Sequence, residues 1–105
     1  MAPAICDKTY EGTVRKVSIE IDVPDFNMDV DYFEIKLANG LNKVVLHRED
    51  LVKMEDTWIM SVDTAQLGEG MIACVVTAHI PDGDYPNGIR PEVMRFNLMF
   101  VDGHE

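Results

Sequence analysis

The feature that most constrains this chain is a pair of apolar runs joined by a short polar corner. The first run covers residues 57–62 and holds the only tryptophan, Trp58; the second covers residues 71–80. The second run is apolar at odd and even positions alike, which favours a central strand over an edge strand. The corner, residues 63–70, predicts one tight helical turn closed by glycines, which tolerate positive φ. Two strands joined in this way are typical of a β-sandwich.

The rest of the chain alternates between apolar and polar residues along short segments, as half-buried strands do. Apolar side chains fall on one face in residues 13–23, 32–38 and 92–101. Asn39-Gly40 predicts a hairpin turn into a partner strand at residues 42–48, because a type I′ turn needs positive φ at both central positions. We therefore expect an all-β, immunoglobulin-like antiparallel β-sandwich of about seven strands, with no helix longer than a turn. A small β-barrel is the alternative, because strand counts do not separate the two folds.

Two segments lie outside this strand pattern. Residues 1–10 show no periodicity and predict an extended N-terminal arm, followed by a single domain over residues 11–105. Residues 81–91 contain three prolines and two glycines, which predicts a long loop and argues against a strand. Because such side chains are enriched where proteins touch proteins, the protein-contact candidates are Ile5, Tyr85, Ile89 and Arg90. The alternative is a frayed terminus, with the loop side chains folded back onto the sandwich.

Charge and hydropathy limit the classes of partner. The chain has 19 acidic and 9 basic residues, a formal net charge of −10. We expect no nucleic-acid partner, because such binding depends on Lys and Arg displacing counterions from phosphates. We expect no membrane partner either, since residues 71–80 are too few to span a bilayer and the first residues lack a signal-peptide pattern. The two cysteines, Cys6 and Cys74, predict reduced thiols and not a disulfide framework.

The residue types that carry catalysis or bind metals form no known motif. The three histidines are scattered, and Cys74 has no histidine at motif spacing. Residues 82–88 resemble a calcium loop only superficially, because the oxygen ligands are misplaced and no bidentate glutamate follows. Two groups of carboxylates are interpreted as solvated charge: Asp22, Asp25, Asp29 and Asp31, and Glu49, Asp50, Glu55 and Asp56. We expect no catalytic residue, no metal and no cofactor, and hence no enzyme.

The corner and the proline-rich loop together resemble a known group of proteins. The chain reads, in order, Thr57-Trp58, then Asp63-Thr64-Ala65-Gln66-Leu67-Gly68-Glu69-Gly70, then Pro81-Asp82-Gly83-Asp84-Tyr85-Pro86-Asn87-Gly88-Ile89-Arg90-Pro91-Glu92-Val93. This succession resembles small Ig-like virion modules of tailed bacteriophages, especially crAss-like phages, over roughly the C-terminal half. Such modules are similar to the N-terminal domains of baseplate upper proteins and to auxiliary proteins that decorate capsids.

The resemblance implies a non-enzymatic virion structural protein. Because no long extension follows, we expect an auxiliary (decoration) capsid protein on the outer face of the capsid, assembled into virions in the host cytoplasm. Its partner would be the major capsid protein or another virion protein. The alternatives are a tail or baseplate subunit, and a carbohydrate- or cell-surface-binding module that presents Tyr85, Tyr32 or Phe26. A small hydrolase using the carboxylate groups is a further hypothesis.

Overall fold

The computed structural model describes residues 7–10 and 12–102, with side chains from Tyr10 onward. This part of the chain forms eight strands and two short helical turns. They are, in chain order, β1 (Asp7–Tyr10), β2 (Val14–Ile19), β3 (Phe33–Asn39), β4 (Asn42–Leu46), a 3₁₀ turn (Arg48–Asp50), β5 (Val52–Met54), β6 (Thr57–Asp63), α1 (Thr64–Leu67), β7 (Gly70–Pro81) and β8 (Ile89–Asp102). The all-β prediction is confirmed.

The strands are arranged in two sheets that pack as a sandwich. One sheet has five strands in the order β1-β8-β7-β3-β4, and the other has three in the order β2-β6-β5. Neighbouring strands are antiparallel throughout, except that β1 runs parallel to β8 with Asp7 opposite Met99. The predicted two-sheet sandwich is therefore confirmed.

A single hydrophobic core lies between the two sheets. Its buried members recur at every second position of the strands, because successive side chains of a strand point to opposite faces. They are Ile19, Ile21, Phe33, Ile35, Leu37, Leu51, Met60, Val62, Leu67, Ile72, Cys74, Val76, Ala78, Ile80, Met99 and Val101. Burying a large aliphatic side chain contributes about 1.5–3 kcal/mol, so this set supplies the main stabilisation of the fold.

The strand β7 occupies the central position that the sequence predicted, with β8 on one side and β3 on the other. Only one of its faces belongs to the core. Cys74 and Val76 are buried on that face, whereas Ala73 and Val75 on the other face are half-buried. The apolar residues at the alternate positions of β7, such as Ala73 and Val75, therefore lie on the outer surface of the five-stranded sheet and not in a second core.

Several segment boundaries differ from the sequence-based predictions. β2 ends at Ile19 and not at residue 23, and β4 ends at Leu46 and not at residue 48. The last four residues of the predicted arm form β1, and residues 1–6 lie outside the described residues. The predicted loop at 81–91 is wrong at both ends, because β7 extends to Pro81 and β8 begins at Ile89; the loop is residues 82–88. Pro91 fits within β8 because no described strand pairs there with the second edge of β8, so its missing N–H is not needed.

The corner between β6 and β7 is the predicted single helical turn. The Asp63 carboxylate accepts a hydrogen bond from the backbone N–H of Ala65 at 3.0 Å, which caps the start of α1. At the other end, the N–H of Gly68 donates to the carbonyl oxygen of Thr64 at 2.9 Å, and Gly68 has φ of 80°. A residue with a Cβ would be strained at that φ, which explains the glycine.

Side chains of the hairpin between β3 and β4 donate hydrogen bonds to the backbone of the β6–β7 corner. Asn39, the last residue of β3, donates from its Nδ2 to the carbonyl oxygens of Leu67 at 2.9 Å and Glu69 at 2.7 Å. Asn42 donates from its Nδ2 to the same Leu67 oxygen at 3.0 Å. These bonds satisfy carbonyl groups that the short helix leaves without intrahelical partners. The hairpin forms where it was predicted, but the type I′ turn on Asn39 and Gly40 is wrong: Asn39 pairs with Asn42, so the central residues are Gly40 and Leu41, and of these only Gly40 has a positive φ, 61°. The two asparagines that flank this turn fix the β6–β7 corner.

Candidate functional site

Three of the four protein-contact candidates predicted from the sequence, Tyr85, Ile89 and Arg90, lie at the tip of the β7–β8 hairpin. The tip is defined here as loop 82–88 with the adjoining residues Ile89 and Arg90. Regular pairing of β7 with β3 ends at Ala78, opposite Phe33, whereas pairing with β8 continues to Pro81. The tip therefore extends beyond the end of the neighbouring strand, where a partner can approach it.

Loop 82–88 holds its shape through its own hydrogen bonds. The N–H of Asp82 donates to the carbonyl oxygen of Gly88 at 2.9 Å, and the N–H of Gly88 donates to the carbonyl oxygen of Tyr85 at 2.8 Å. The Asp82 carboxylate accepts from the N–H of Asp84 at 3.0 Å, a side-chain turn that aspartate commonly makes. The loop is therefore a folded turn and not an open connection.

The tip exposes two apolar side chains and holds the guanidinium of Arg90 against the Asp82 carboxylate. Tyr85 is 43% exposed and Ile89 is 37% exposed. Arg90 is half-buried, and its Nη1 donates to the Asp82 carboxylate at 3.3 Å; its Nε lies 3.9 Å from the carboxylate of Glu92. Arg90 therefore supports the loop while Tyr85 and Ile89 are presented to solvent. The fourth candidate, Ile5, lies outside the described residues.

A second candidate site is an open groove with a volume of about 570 Å³ at the same end of the sandwich. Its principal side chains are Asp29, Lys53 and Trp58. Trp58 is in phase with the buried Met60 on β6, but it lies where the sandwich opens and is only half-buried. The Lys53 ammonium lies 5.6 Å from the centre of the indole ring, within the range of a cation–π contact. We call this site the Trp58 groove.

Electrostatic contacts fix the polar rim of the Trp58 groove. The Nζ of Lys53 donates to the Asp29 carboxylate at 2.9 Å. This hydrogen bond holds the pKa of Asp29 below its usual value, with smaller contributions from the charge of Lys53 and a hydrogen bond to the Trp58 side chain. Glu20 and Asp56 also line the groove. The site therefore combines an aromatic face with several hydrogen-bonding groups, which suits a polar organic ligand.

The Trp58 groove could not be found from the sequence. Asp29 was interpreted as solvated charge, and Trp58 was noted only as the single tryptophan of the first apolar run. The structure joins them through Lys53, 24 positions from Asp29. No local spacing signals such an assembly, because its members come from a loop, β5 and β6. The only available signal was the single tryptophan, which is the second residue of a strand, where burial is incomplete.

An aromatic cluster on the outer face of the five-stranded sheet brings two of the scattered histidines together. The Tyr32 ring lies 4.8 Å from the His79 ring in an edge-to-face arrangement and 5.8 Å from the His47 ring. The Nε2 of His47 lies 3.7 Å from a carboxylate oxygen of Glu34. Tyr32 itself is 52% exposed. Because His79 pairs with Pro91, next to Arg90, this polar aromatic patch adjoins the tip.

The structure also places Cys74 and the residue types that bind metals. Cys74 is a buried free thiol, and burial raises its pKa to about 11, so it is protonated at neutral pH. Within residues 7–10 and 12–102, no three His, Cys, Asp or Glu residues are grouped so as to hold a metal ion. No helix in the same described ranges has both the length and the apolar character needed to cross a membrane.

Comparison of the chain with protein-family models, with curated proteins and with solved structures gives no match.

Proposed function

We propose that this chain is a non-enzymatic structural protein of a tailed-bacteriophage virion, an auxiliary (decoration) protein bound to the outer face of the capsid. The observation that carries the proposal is the tip, whose loop 82–88 is held by internal hydrogen bonds while Tyr85 and Ile89 are exposed. A loop with a fixed shape loses less conformational entropy on docking. Tyrosine is also among the residues that dominate binding energy at interfaces.

The strand order supports the immunoglobulin-like part of the proposal. The order β8-β7-β3-β4 corresponds to strands G, F, C and C′ of a variable-type immunoglobulin sheet, and β2-β6-β5 corresponds to strands B, E and D. The two segments that resemble phage virion modules have separate roles in this arrangement. Residues 63–70 form the corner that orients β7, and residues 81–91 contain the tip.

Charge supports a protein partner over other classes. The formal net charge of −10 disfavours a phosphate backbone, so the proposed partners are the major capsid protein or other virion proteins, with neither nucleic acid nor membrane. The proposed location is the virion, after assembly in the host cytoplasm.

The first test is quantitative mass spectrometry of purified phage particles. We expect this chain in the particle at a copy number comparable to that of the major capsid protein. A copy number of a few per particle would instead support the alternative of a tail or baseplate subunit. Complete absence from particles would contradict a virion role.

The second test asks whether the tip makes the contact. Particles that lack this protein are mixed with the wild-type chain or with Tyr85→Ala, and binding is measured as a function of protein concentration. Loss of a central interface tyrosine costs about 2 kcal/mol, so we expect about 30-fold weaker binding. Tyr10→Ala is the matched control, since Tyr10 is 49% exposed and lies at the opposite end, beside α1. Equal binding by the two variants would place the contact elsewhere.

A second candidate function, carbohydrate or cell-surface binding, is favoured by the Trp58 groove. Sugars stack on aromatic faces, and their hydroxyl groups donate hydrogen bonds to carboxylates and accept them from ammonium groups; Trp58, Asp29 and Lys53 supply these three kinds of group. A glycan array is the direct test, followed by titration of Trp58→Ala. We expect any binding by the groove to disappear in that variant, while Tyr85→Ala retains it. A wild-type chain that binds no glycan at millimolar concentration would exclude this candidate.

A further inference from the structure

Apolar side chains are exposed at both ends of one broad surface, the outward face of β3, β4, β7 and β8, here called the outer sheet face. Near the β6–β7 corner, Met71 and Phe100 lie opposite each other in the β7–β8 register and are 37% and 41% exposed. Towards the tip, Val93 is 62% exposed and Tyr32 is 52% exposed. Exposed apolar side chains that share one face mark a contact surface, whereas scattered single ones do not. The outer sheet face is therefore a candidate for binding a partner.

Three basic side chains lie between the two apolar ends, in two adjacent rows of the face. They form the cationic band, which consists of Lys36, Lys43 and Arg95. In the first row, Val75 on β7 is paired with Arg95 on β8 and with Lys36 on β3. In the next row, Lys43 on β4 is paired with Ala38. Among the described residues, none of the three cations has an ion-pair partner. The middle of the face therefore carries positive charge that the described part of the chain does not pair.

The cationic band contrasts with the whole chain, which has a formal net charge of −10. Two carboxylates also occupy outward positions of these strands, Glu34 and Asp102. Glu34 lies opposite Thr77, one row nearer the tip than the band, and its carboxylate is 3.7 Å from the Nε2 of His47. Asp102 lies beyond Phe100, on the other side of the band. Because potentials of opposite sign meet across an interface, a partner that places carboxylates over the band would match this face.

We infer that the outer sheet face binds an acidic surface of another protein, with carboxylates on the cationic band and apolar side chains on the two ends. The apolar ends favour a protein over a nucleic acid, because the phosphates of a nucleic acid carry charge along the entire backbone. A second copy packed face to face is disfavoured, because an isologous contact would set one cationic band against the other. This contact is independent of the proposed virion role.

Nuclear magnetic resonance titration of the complete, isotope-labelled chain tests this contact with a defined probe, the heptapeptide Phe-Thr-Glu-Thr-Glu-Thr-Leu with uncharged ends. In an extended peptide, alternate side chains share one side, so Phe, both Glu and Leu can face the sheet over about 20 Å, the length of β7 from Thr77 to Met71. We expect the amide signals of residues 73–75 and 95–97 to shift, while those of β2 and β5 on the other sheet stay unchanged.

Matched probes and variants separate the two parts of the contact. Replacing both Glu of the probe by Gln should weaken binding about tenfold, and replacing its Phe and Leu by Ser should weaken it by a similar factor. Arg95→Gln should weaken binding of the Glu probe about fivefold. Lys16→Gln is the control variant, since Lys16 is exposed and lies opposite Ser61 on the other sheet; it should change the affinity by less than about twofold.

Four outcomes would overturn the inference. The first is no shift of the signals of residues 73–75 and 95–97 at millimolar probe. The second is equal binding of the Glu and Gln probes, or equal effects of Arg95→Gln and Lys16→Gln. The third is an oligothymidylate that binds the same residues as tightly as the Glu probe, which would assign the face to a nucleic acid. The fourth is a dimer of the chain alone that covers the same residues, which would assign it to a second copy. Unchanged signals of the core residue Ile72 show that each variant is folded.

Discussion

The hydroxyl of Thr64 donates a hydrogen bond to the carbonyl oxygen of Thr13 at 2.8 Å, across 51 positions of the chain. The same hydroxyl oxygen accepts a hydrogen bond from the N–H of Gly12 at 2.9 Å, and the backbone N–H of Thr64 also donates to Thr13. Thr64 is a polar residue with 0% exposure, the one such buried residue among those whose side chains the structure describes. One side chain thus connects the start of α1 to the turn that joins β1 and β2.

Replacing Thr64 by valine should lower the free energy of unfolding by about 1–3 kcal/mol, because the shape is kept while a buried donor and acceptor are lost. Chemical denaturation measures this change. Thr57→Val is the control, since Thr57 is an exposed β-branched residue on β6, and it should shift stability by no more than about 0.5 kcal/mol. Equal effects of the two substitutions would mean that the Thr64 hydrogen bonds contribute little.

Gly70→Ala should destabilise the chain by about 1–3 kcal/mol. Gly70 has φ of 123°, and an added Cβ would lie 3.1 Å from the Oδ1 of Asn39, the side chain that holds the corner. Gly83→Ala is the matched control, because Gly83 lies outside the positive-φ region and has open space around it. It should be neutral, or stabilising by about 0.4–1 kcal/mol through the unfolded state. A larger loss at Gly83 than at Gly70 would contradict this account of the corner.

Truncation to alanine at Trp58 and at Met60, two residues in phase on β6, should lower the free energy of unfolding to different extents. Met60 is 0% exposed, so Met60→Ala should cost about 2–5 kcal/mol through the cavity that it leaves. Trp58 is half-buried, so Trp58→Ala should cost less than the ~3–5 kcal/mol of a fully buried tryptophan. Thermal and denaturant unfolding of both variants give the comparison. A loss at Trp58 above that at Met60 would place the indole deeper in the core than its exposure indicates.

The buried thiol of Cys74 should make the fold sensitive to alkali. Because its pKa is raised from 9.0 to about 11, folding favours the protonated form, and this stabilisation is complete below pH 9 and lost as pH rises towards 11. In a Cys6→Ser background, Cys74 should resist a thiol reagent at pH 8 until the protein is unfolded. Cys74→Ala should show a smaller fall in unfolding free energy between pH 9 and 11. Rapid labelling of the native protein would contradict this prediction.

The parts of the fold that depend on neighbouring residues were readable from the sequence. The hairpin after β3 was predicted from Asn39-Gly40, although its turn is centred on Gly40 and Leu41 and is not of type I′. Asp63 and Gly68 encode the start and end of α1. The strand status of residues 89–91 was missed, because proline counts against a strand unless the free edge of that strand is known. β1 was also missed, since four residues are too few to show alternation and their partner strand is at the far end of the chain.

The candidate sites also divide into those that neighbouring residues predict and those that depend on residues distant in the chain. Tyr85 and Ile89 were identified because turn residues surround them, and the structure places both at an exposed tip. Arg90 was expected to be a contact residue, whereas its guanidinium is partly engaged by Asp82 within the chain. Asp29 and Trp58 became a site only through the two-sheet packing, which juxtaposes a loop with the opening end of β6. Such contacts are a product of tertiary structure and leave no mark on local spacing.

The parallel pairing of β1 with β8 has a mechanical consequence. Asp7 begins β1 and Asp102 ends β8, so these two residues lie at opposite ends of the paired segment. If the chain is stretched by pulling residues 7 and 102 apart, the force runs along both strands and perpendicular to the direction in which they are hydrogen-bonded. The bonds of the pair are then loaded together in shear and are not opened one after another. The sandwich is built to resist tension along this pair of strands.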